Sequence, residues 1–262
     1  MLLLAHRGAS ADAPENTIAA FEEAVRQGAD GVELDVQVCS TGEVVVCHDE
    51  RLTRLARLDW ELGATPWWKL RRVDVGSSLG FAPATMPLLE DVIQVLPDRF
   101  LINVELKCDS LEDRGLTAAV VDLIRRRRID ERVIISSFNP FCLWRTAALA
   151  PRLRRGLLID PEKNLLWQSG VVAPLVCNHS VHPPLSACTG DRLARWQEQG
   201  LRVACWTVDD AAAASRLRRS GVTYCITNRP GALREGLNSI PDGGAPLRAW
   251  PTFAPRPQDD GE

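Results

Sequence analysis

Two imidazoles, three carboxylates, an arginine and a lysine recur at one kind of position in this sequence, the carboxyl end of a short apolar run. "LLLA" runs into His6 and Arg7. "GVELDVQV" carries Glu33 and Asp35 two residues apart. "VVVC" ends in His48 and Asp49, and "FLINVELK" closes on Glu105 and Lys107, again two apart. Side chains of an extended strand alternate between faces, so Glu33 and Asp35 share a face, as do Glu105 and Lys107. Three carboxylates brought to one point repel unless a cation sits among them. An all-oxygen donor set suits a hard divalent ion, Ca²⁺ or Mg²⁺, and no Cys or His pair stands at zinc-like spacing. Two histidines beside such an ion suit a general acid and a general base near neutral pH. Arg7 and Lys107 add positive charge, which favours an anionic substrate, and arginine matches phosphate oxygens in bidentate fashion. The chemistry that fits the whole set is in-line displacement at a phosphodiester. Singly, each residue has an ordinary structural reading as a core ion pair or a packed histidine; the joint pattern carries the argument.

The elements that must hold these residues alternate. Strand-like runs at Leu2–Ala5, "GVELDVQV", "FLINVELK", "RVIISSF", "RRGLLID", "LVCNHSVHP", "LRVACWTV" and "VTYCITN" are separated by helical patterns. Eight such units in series predict an α/β fold, a (β/α)8 TIM barrel, with its chemistry at the carboxyl ends of the strands. A doubly wound open sheet would want a Gly-rich phosphate loop after the first strand, and "HRGASADAPEN" has no GxGxxG. In "NTIAAFEEAVRQG", Asn16 or Thr17 is the cap, Ile18, Phe21 and Val25 form the apolar face, and Gly28 is the stop. "STGE" returns the second strand as a hairpin into "VVVCHDE". Residues 50–87 break the alternation and read as a small insertion of loops and short helices after that hairpin. "EKNLLWQSG" reads as a helix. Residues 1–238 are expected to form one catalytic domain. The Pro-, Gly- and Asp-rich stretch 239–262, with Trp250 and Phe253, reads as a loose tail.

Composition narrows the partners. The chain has 262 residues, 45% hydrophobic and 25% charged, with a net charge of -3, an ordinary globular profile. There is no polybasic footprint for nucleic acid or anionic lipid. "RRRR" at Arg125–Arg128 ends a helix, where cations suit the dipole. No run reaches the ~18 apolar residues of a membrane span, so stable membrane insertion is not expected. Met1–Ala5 is too short for the apolar part of a secretory leader, and the expected location is the cytoplasm. None of the eight cysteines forms a CxxC; several lie in apolar runs and read as small buried hydrophobes. A Cys39–Cys47 disulfide across the hairpin is the alternative, disfavoured in a reducing compartment. The expected partner is a small-molecule phosphodiester, and nothing in the sequence sets an oligomeric state.

"HRGASADAPENTIAAFEEAVRQGADGVELDVQV", "GEVVVCHDERLTR", "MPLLEDVI" and "NVELK" together resemble the glycerophosphodiester phosphodiesterases, of the cytosolic bacterial type. The likeness continues more weakly through "SSF", "HP", "CWTVDD" and "ITNRP". The resemblance implies His6 and His48 as the acid–base pair, Glu33, Asp35 and Glu105 as metal ligands, and Arg7 and Lys107 as phosphate contacts. It implies release of glycerol 3-phosphate and an alcohol, for example from glycerophosphocholine or glycerophosphoethanolamine. Glu15 of "PEN" is expected to orient Arg7 or a neighbour. Trp206 stands where the family often has an aromatic, against the glycerol or the leaving group; a core tryptophan is the equal alternative. "TVDD" and "LARLDW" depart from the family pattern and bear on the leaving group. A phospholipase D-like enzyme acting on lysophospholipids or sphingomyelin is the alternative within the same fold, with Trp67 and Trp68 as its membrane anchors. A catalytically silent binding barrel is a third reading, and it would predict losses among the site residues.

Overall fold

The alternation seen in the sequence closes into a barrel. A computed structural model describes residues 1–160 and 173–240. Its strands are β1 (Leu2–His6), β2 (Gly31–Val38), β3 (Val44–Val46), β4 (Leu101–Leu106), β5 (Val133–Ser137), β6 (Arg154–Leu158), β7 (Ser180–His182), β8 (Arg202–Cys205) and β9 (Tyr224–Thr227). Eight of them pair in parallel in the order β1-β9-β8-β7-β6-β5-β4-β2, and β2 pairs back with β1. The short β3 lies antiparallel on β2. This is the (β/α)8 TIM barrel.

Period-two alternation decides what each strand shows to the lumen. On β1, Leu3 and Ala5 join the main core under the helices, whereas Leu2 and Leu4 join the lumen cluster with Leu101, Ile134, Tyr224 and Ile226. On β2, Val32, Leu34 and Val36 face the helix layer, which turns Glu33 and Asp35 inward. Ile102, Val104 and Leu106 do the same on β4, which turns Asn103 and Glu105 inward. Register then places these side chains together, because Asp35 lies opposite Glu105 and His6 opposite Glu33.

The helices are α1 (Ile18–Arg26), α2 (Thr53–Ala56), α3 (Trp67–Leu70), α4 (Leu89–Val95), α5 (Leu116–Arg127), α6 (Pro140–Leu149), α7 (Ala173–Val176), α8 (Gly190–Glu198), α9 (Ala211–Arg219) and α10 (Pro230–Ser239). Phe21 of α1 is fully buried, worth roughly 1.5–3 kcal/mol. Thr17 is the cap of α1 and accepts from the Ala20 amide at 3.3 Å; Asn16 is used elsewhere, as described below. The β1–α1 loop passes so close to α1 that a side chain at Gly8, φ +82°, would meet the Ala20 backbone at 2.6 Å. Segment 50–87 builds its own apolar cluster, with Leu52, Leu55, Leu62, Leu70, Val73, Val75 and Met86 packed on Val45 and Cys47. At the end of α5, Arg126 pairs with Asp122 and Arg127 with Glu90.

One local expectation is corrected. The strand expected over "LVCNHSVHP" is only Ser180–His182, because Leu175 and Val176 end α7. The side chain of Asn178 takes over the pairing, accepting from the Arg155 amide at 2.8 Å and donating to the Leu153 carbonyl at 3.1 Å. All eight cysteines are free, Cys39 and Cys47 included, as the expected reading of them as unpaired thiols has it. The helix expected at "EKNLLWQSG" and the tail from residue 241 onward lie outside the described residues, as do Trp250 and Phe253.

Candidate active site

The carboxyl ends of the strands carry the charged residues into one cavity of about 130 Å³. It is lined by His6, Arg7, Glu33, His48, Glu105 and Lys107 from the first half of the chain. Phe138, Leu158, Trp206 and Ile226 supply its apolar wall. Asp35 and Glu15 meet Arg7 at its edge, whereas Trp67 packs on the cluster of the insertion and Trp68 is exposed there.

Glu33, Asp35 and Glu105 are buried, and one carboxylate oxygen from each lies within 4.8 Å of the others. Burial, then Asp35 and Glu105, push the Glu33 carboxyl well above the usual range. Burial and Asp35 raise Glu105 to about 7, against the pull of Lys107. Burial works on Asp35 in the same direction but is outweighed by Arg7, His48 and Lys107, and this carboxyl stays below its ordinary value. Three carboxyls held this close and buried repel one another, and a cation among them relieves that repulsion. The donors are all oxygen, so the residues fit a hard divalent cation.

Arg7 and Lys107 offset only part of that charge. Arg7 Nε lies 3.1 Å from Asp35 and its Nη1 2.8 Å from Glu15. Lys107 Nζ lies 3.0 Å from Glu105 and 3.9 Å from Asp35. Glu15 does face Arg7, and it also takes Arg54 of α2 at 2.7 and 2.9 Å. Arg54 in turn holds both oxygens of Asp49 at 2.8 and 2.9 Å. The insertion is thereby tied by ion pairs to both sides of the mouth.

Four supports were missed at the level of sequence. Asn16, in a left-handed conformation at φ 56°, donates to Asp35 at 2.9 Å instead of capping α1. Gln37 on β2 directs its amide at the carbonyls of Cys47, His48 and Asp49, 3.0 to 3.1 Å away, and so fixes the turn that carries His48. Arg54 is the third, lying in the quoted "HDERLTR". The fourth is the pair Asn228 and Asp209. His6 Nδ1 lies 2.8 Å from Asn228 Oδ1, and Asn228 Nδ2 donates to Asp209 at 2.7 Å. Their only trace in the sequence is polar residues at two strand ends, "TVDD" and "ITN".

The two imidazoles have different partners. Asn228 spends its amide hydrogen on Asp209, so it presents an oxygen to His6. His6 Nδ1 must then carry the proton, leaving Nε2 as an acceptor 3.9 Å from Glu33. Burial, then Arg7, lower the His6 pKa. His48 Nδ1 instead meets a carboxylate, Asp49, at 2.8 Å. Burial opposes ionisation of Asp49, but the bonds from His48 and Arg54 keep it ionised far below the usual range. Trp206 donates through Nε1 to the His182 carbonyl at 2.7 Å and stands edge-on to Phe138, centroids 5.9 Å apart. It therefore lines the cavity as a fixed wall.

Comparison with known proteins shows the family and the fold. Residues 6–232 match the model of the "Glycerophosphoryl diester phosphodiesterase family". The chain is 34% identical over 251 residues to a glycerophosphodiester phosphodiesterase of Caldanaerobacter subterraneus, covering 93% of this chain and 99% of that one. Among solved structures it is similar to an Oleispira antarctica phosphodiesterase determined in complex with the product sn-glycerol-3-phosphate. That match has a TM-score of 0.81 and 29% identity, over 91% of this chain and 97% of the other. A Silicibacter pomeroyi structure at 24% identity and TM-score 0.82, covering 91% and 93% of the two chains, supports the fold.

Proposed function

Because the chain belongs to the glycerophosphoryl diester phosphodiesterase family, we propose that it hydrolyses soluble glycerophosphodiesters, such as glycerophosphocholine and glycerophosphoethanolamine, to sn-glycerol 3-phosphate and an alcohol. The observation that carries this reading is the convergence of three buried carboxylates, two imidazoles and two cations on one small cavity. The comparisons favour it over a phospholipase D-like activity. Eight free thiols support a cytoplasmic location, and no described helix is long and apolar enough to cross a membrane.

In this reading Glu33, Asp35 and Glu105 hold one divalent cation, Ca²⁺ or Mg²⁺. When bound, that ion supplies Lewis-acid stabilisation of charge developing on phosphoryl oxygens. Arg7 and Lys107 face the same phosphate and neutralise it further. His6 is the base. Its Nδ1 proton is held by Asn228, and its lowered pKa keeps Nε2 unprotonated at neutral pH, ready to take a proton from the attacking water. His48 is the acid and delivers a proton from Nε2 to the departing alkoxide. Asp49 fixes its tautomer, as a carboxylate does for a catalytic imidazole. Phe138 and Trp206 give an apolar flank to the carbon skeleton.

Product identification on glycerophosphocholine tests the assignment. Release of sn-glycerol 3-phosphate and choline is expected. Formation of phosphocholine and glycerol, or faster turnover of lysophospholipid micelles than of the soluble diester, would overturn it.

A further inference from the structure

Asn103 is built into the cavity with nothing to bind. It lies on β4 one strand period before Glu105, opposite Glu33 in register. It is 1% exposed and lines the cavity with both glutamates. Its carboxamide makes no hydrogen bond among the described residues, and Oδ1 is buried without a partner. Other asparagines of this fold spend theirs: Asn16 on Asp35, Asn178 on β6, Asn228 on His6. A buried amide left open costs stability, and it is the kind of cost a chain carries at a ligand site.

The surroundings indicate which ligand group it meets. Lys107 lies one strand period beyond Glu105 toward the mouth, Arg7 reaches Asp35 at 3.1 Å, and Leu158 and Ile226 make part of the cavity wall apolar. Two residues along a strand separate Asn103 from Glu105 by ~6.6 Å, comparable to a three-carbon chain leading away from its phosphate. The cavity, of about 130 Å³, is small and lined by both polar and apolar groups, which suits a short polyol phosphate. A hydroxyl both donates and accepts, and a carboxamide offers the complementary pair. We propose that Asn103 is a specificity residue that hydrogen-bonds the terminal hydroxyl of the glycerol moiety and so selects glycerol over deoxy analogues. The inference rests on the function proposed above.

The test uses metal-replete wild-type enzyme and Asn103→Leu, which keeps the volume and removes the hydrogen bonds. Each is assayed on glycerophosphocholine and on the analogue whose glycerol is replaced by 1,2-propanediol, lacking the terminal hydroxyl. The wild type should favour glycerophosphocholine in kcat/KM by at least thirtyfold, since a site built to bond a hydroxyl rejects the analogue without it. Asn103→Leu should discriminate less than threefold, with a Tm no lower than the wild type, because an unpaired buried amide is gone. Asn103→Ser, with one hydrogen-bonding group, should fall between and covers the case in which the leucine variant misfolds. Undiminished discrimination in both variants, or an equal loss on both substrates with a lowered Tm, would overturn the proposal. Wild-type enzyme that cleaves both substrates equally overturns the role of Asn103 alone. Wild-type enzyme that cleaves neither, and binds neither sn-glycerol 3-phosphate nor 1,2-propanediol 1-phosphate in calorimetry, overturns the functional reading with it.

Discussion

His6 Nδ1 and Asn228 Oδ1 are 2.8 Å apart across 222 residues of chain, and this contact determines which nitrogen of His6 faces the cavity. Because Asn228 is itself held by Asp209, the pair acts as a fixed acceptor. Asn228→Ala should lower kcat about 10- to 100-fold, the usual cost of losing an orienting partner, with KM changed less than threefold. Stopped-assay kinetics on glycerophosphocholine would measure both.

The same contact sets a pH dependence. His6 titrates below its ordinary 6.5 because burial and Arg7 disfavour the charged ring. A base with a lowered pKa stays active as pH falls until that pKa is reached, so the acid limb of kcat/KM should lie below pH 6.5. Asn228→Asp places a carboxylate on Nδ1 and favours the imidazolium. Its acid limb should move to higher pH by about one unit or more. An unmoved limb would assign the titration to another group.

Metal binding should be proton-linked. Glu105 titrates at about 7 and Glu33 well above the usual range, so protons compete for both ligands below neutrality. Affinity for Ca²⁺ or Mg²⁺ should rise with pH up to about 7. On the order of one to two protons should leave per ion bound near pH 6. Calorimetry in two buffers of different ionisation enthalpy counts them.

The carboxylate cluster is a cost to the metal-free fold. Glu33→Gln removes one of three crowded ionisable carboxyls at nearly unchanged volume. Chelated Glu33→Gln should melt at or above the Tm of chelated wild type. The rise in Tm that saturating cation gives the wild type should be largely lost. At this chain length about 1 kcal/mol corresponds to ~2–4 °C, well within the reach of calorimetric scanning.

Much of this is legible in the sequence. Val32, Leu34 and Val36 alternate with Glu33 and Asp35, and that period alone turns both acids to one side. The same rule exposes Glu105, and strand ends expose His6 and His48. What the sequence hides is pairing over distance and the choice between equal partners. Asn16 reads as a helix cap beside Thr17, and only the fold shows Thr17 capping while Asn16 binds Asp35. Asn228 meets His6, and Asp209 meets Asn228, only because β9 closes the barrel against β1 with β8 beside it. Asn178 looks like a strand residue, yet its side chain replaces strand pairing. Asn103 sits unmarked inside "NVELK", since its distinction is a bond it does not make.

Release of sn-glycerol 3-phosphate from glycerophosphocholine, followed through chelation and cation add-back in wild type, His6→Ala and His48→Ala, tests the central claim most directly. The account predicts that chelation removes wild-type turnover, that Ca²⁺ or Mg²⁺ restores it, and that either alanine variant stays at least 10²-fold slower with the cation present. Turnover untouched by thorough chelation, or either histidine variant working at the wild-type rate, would contradict it.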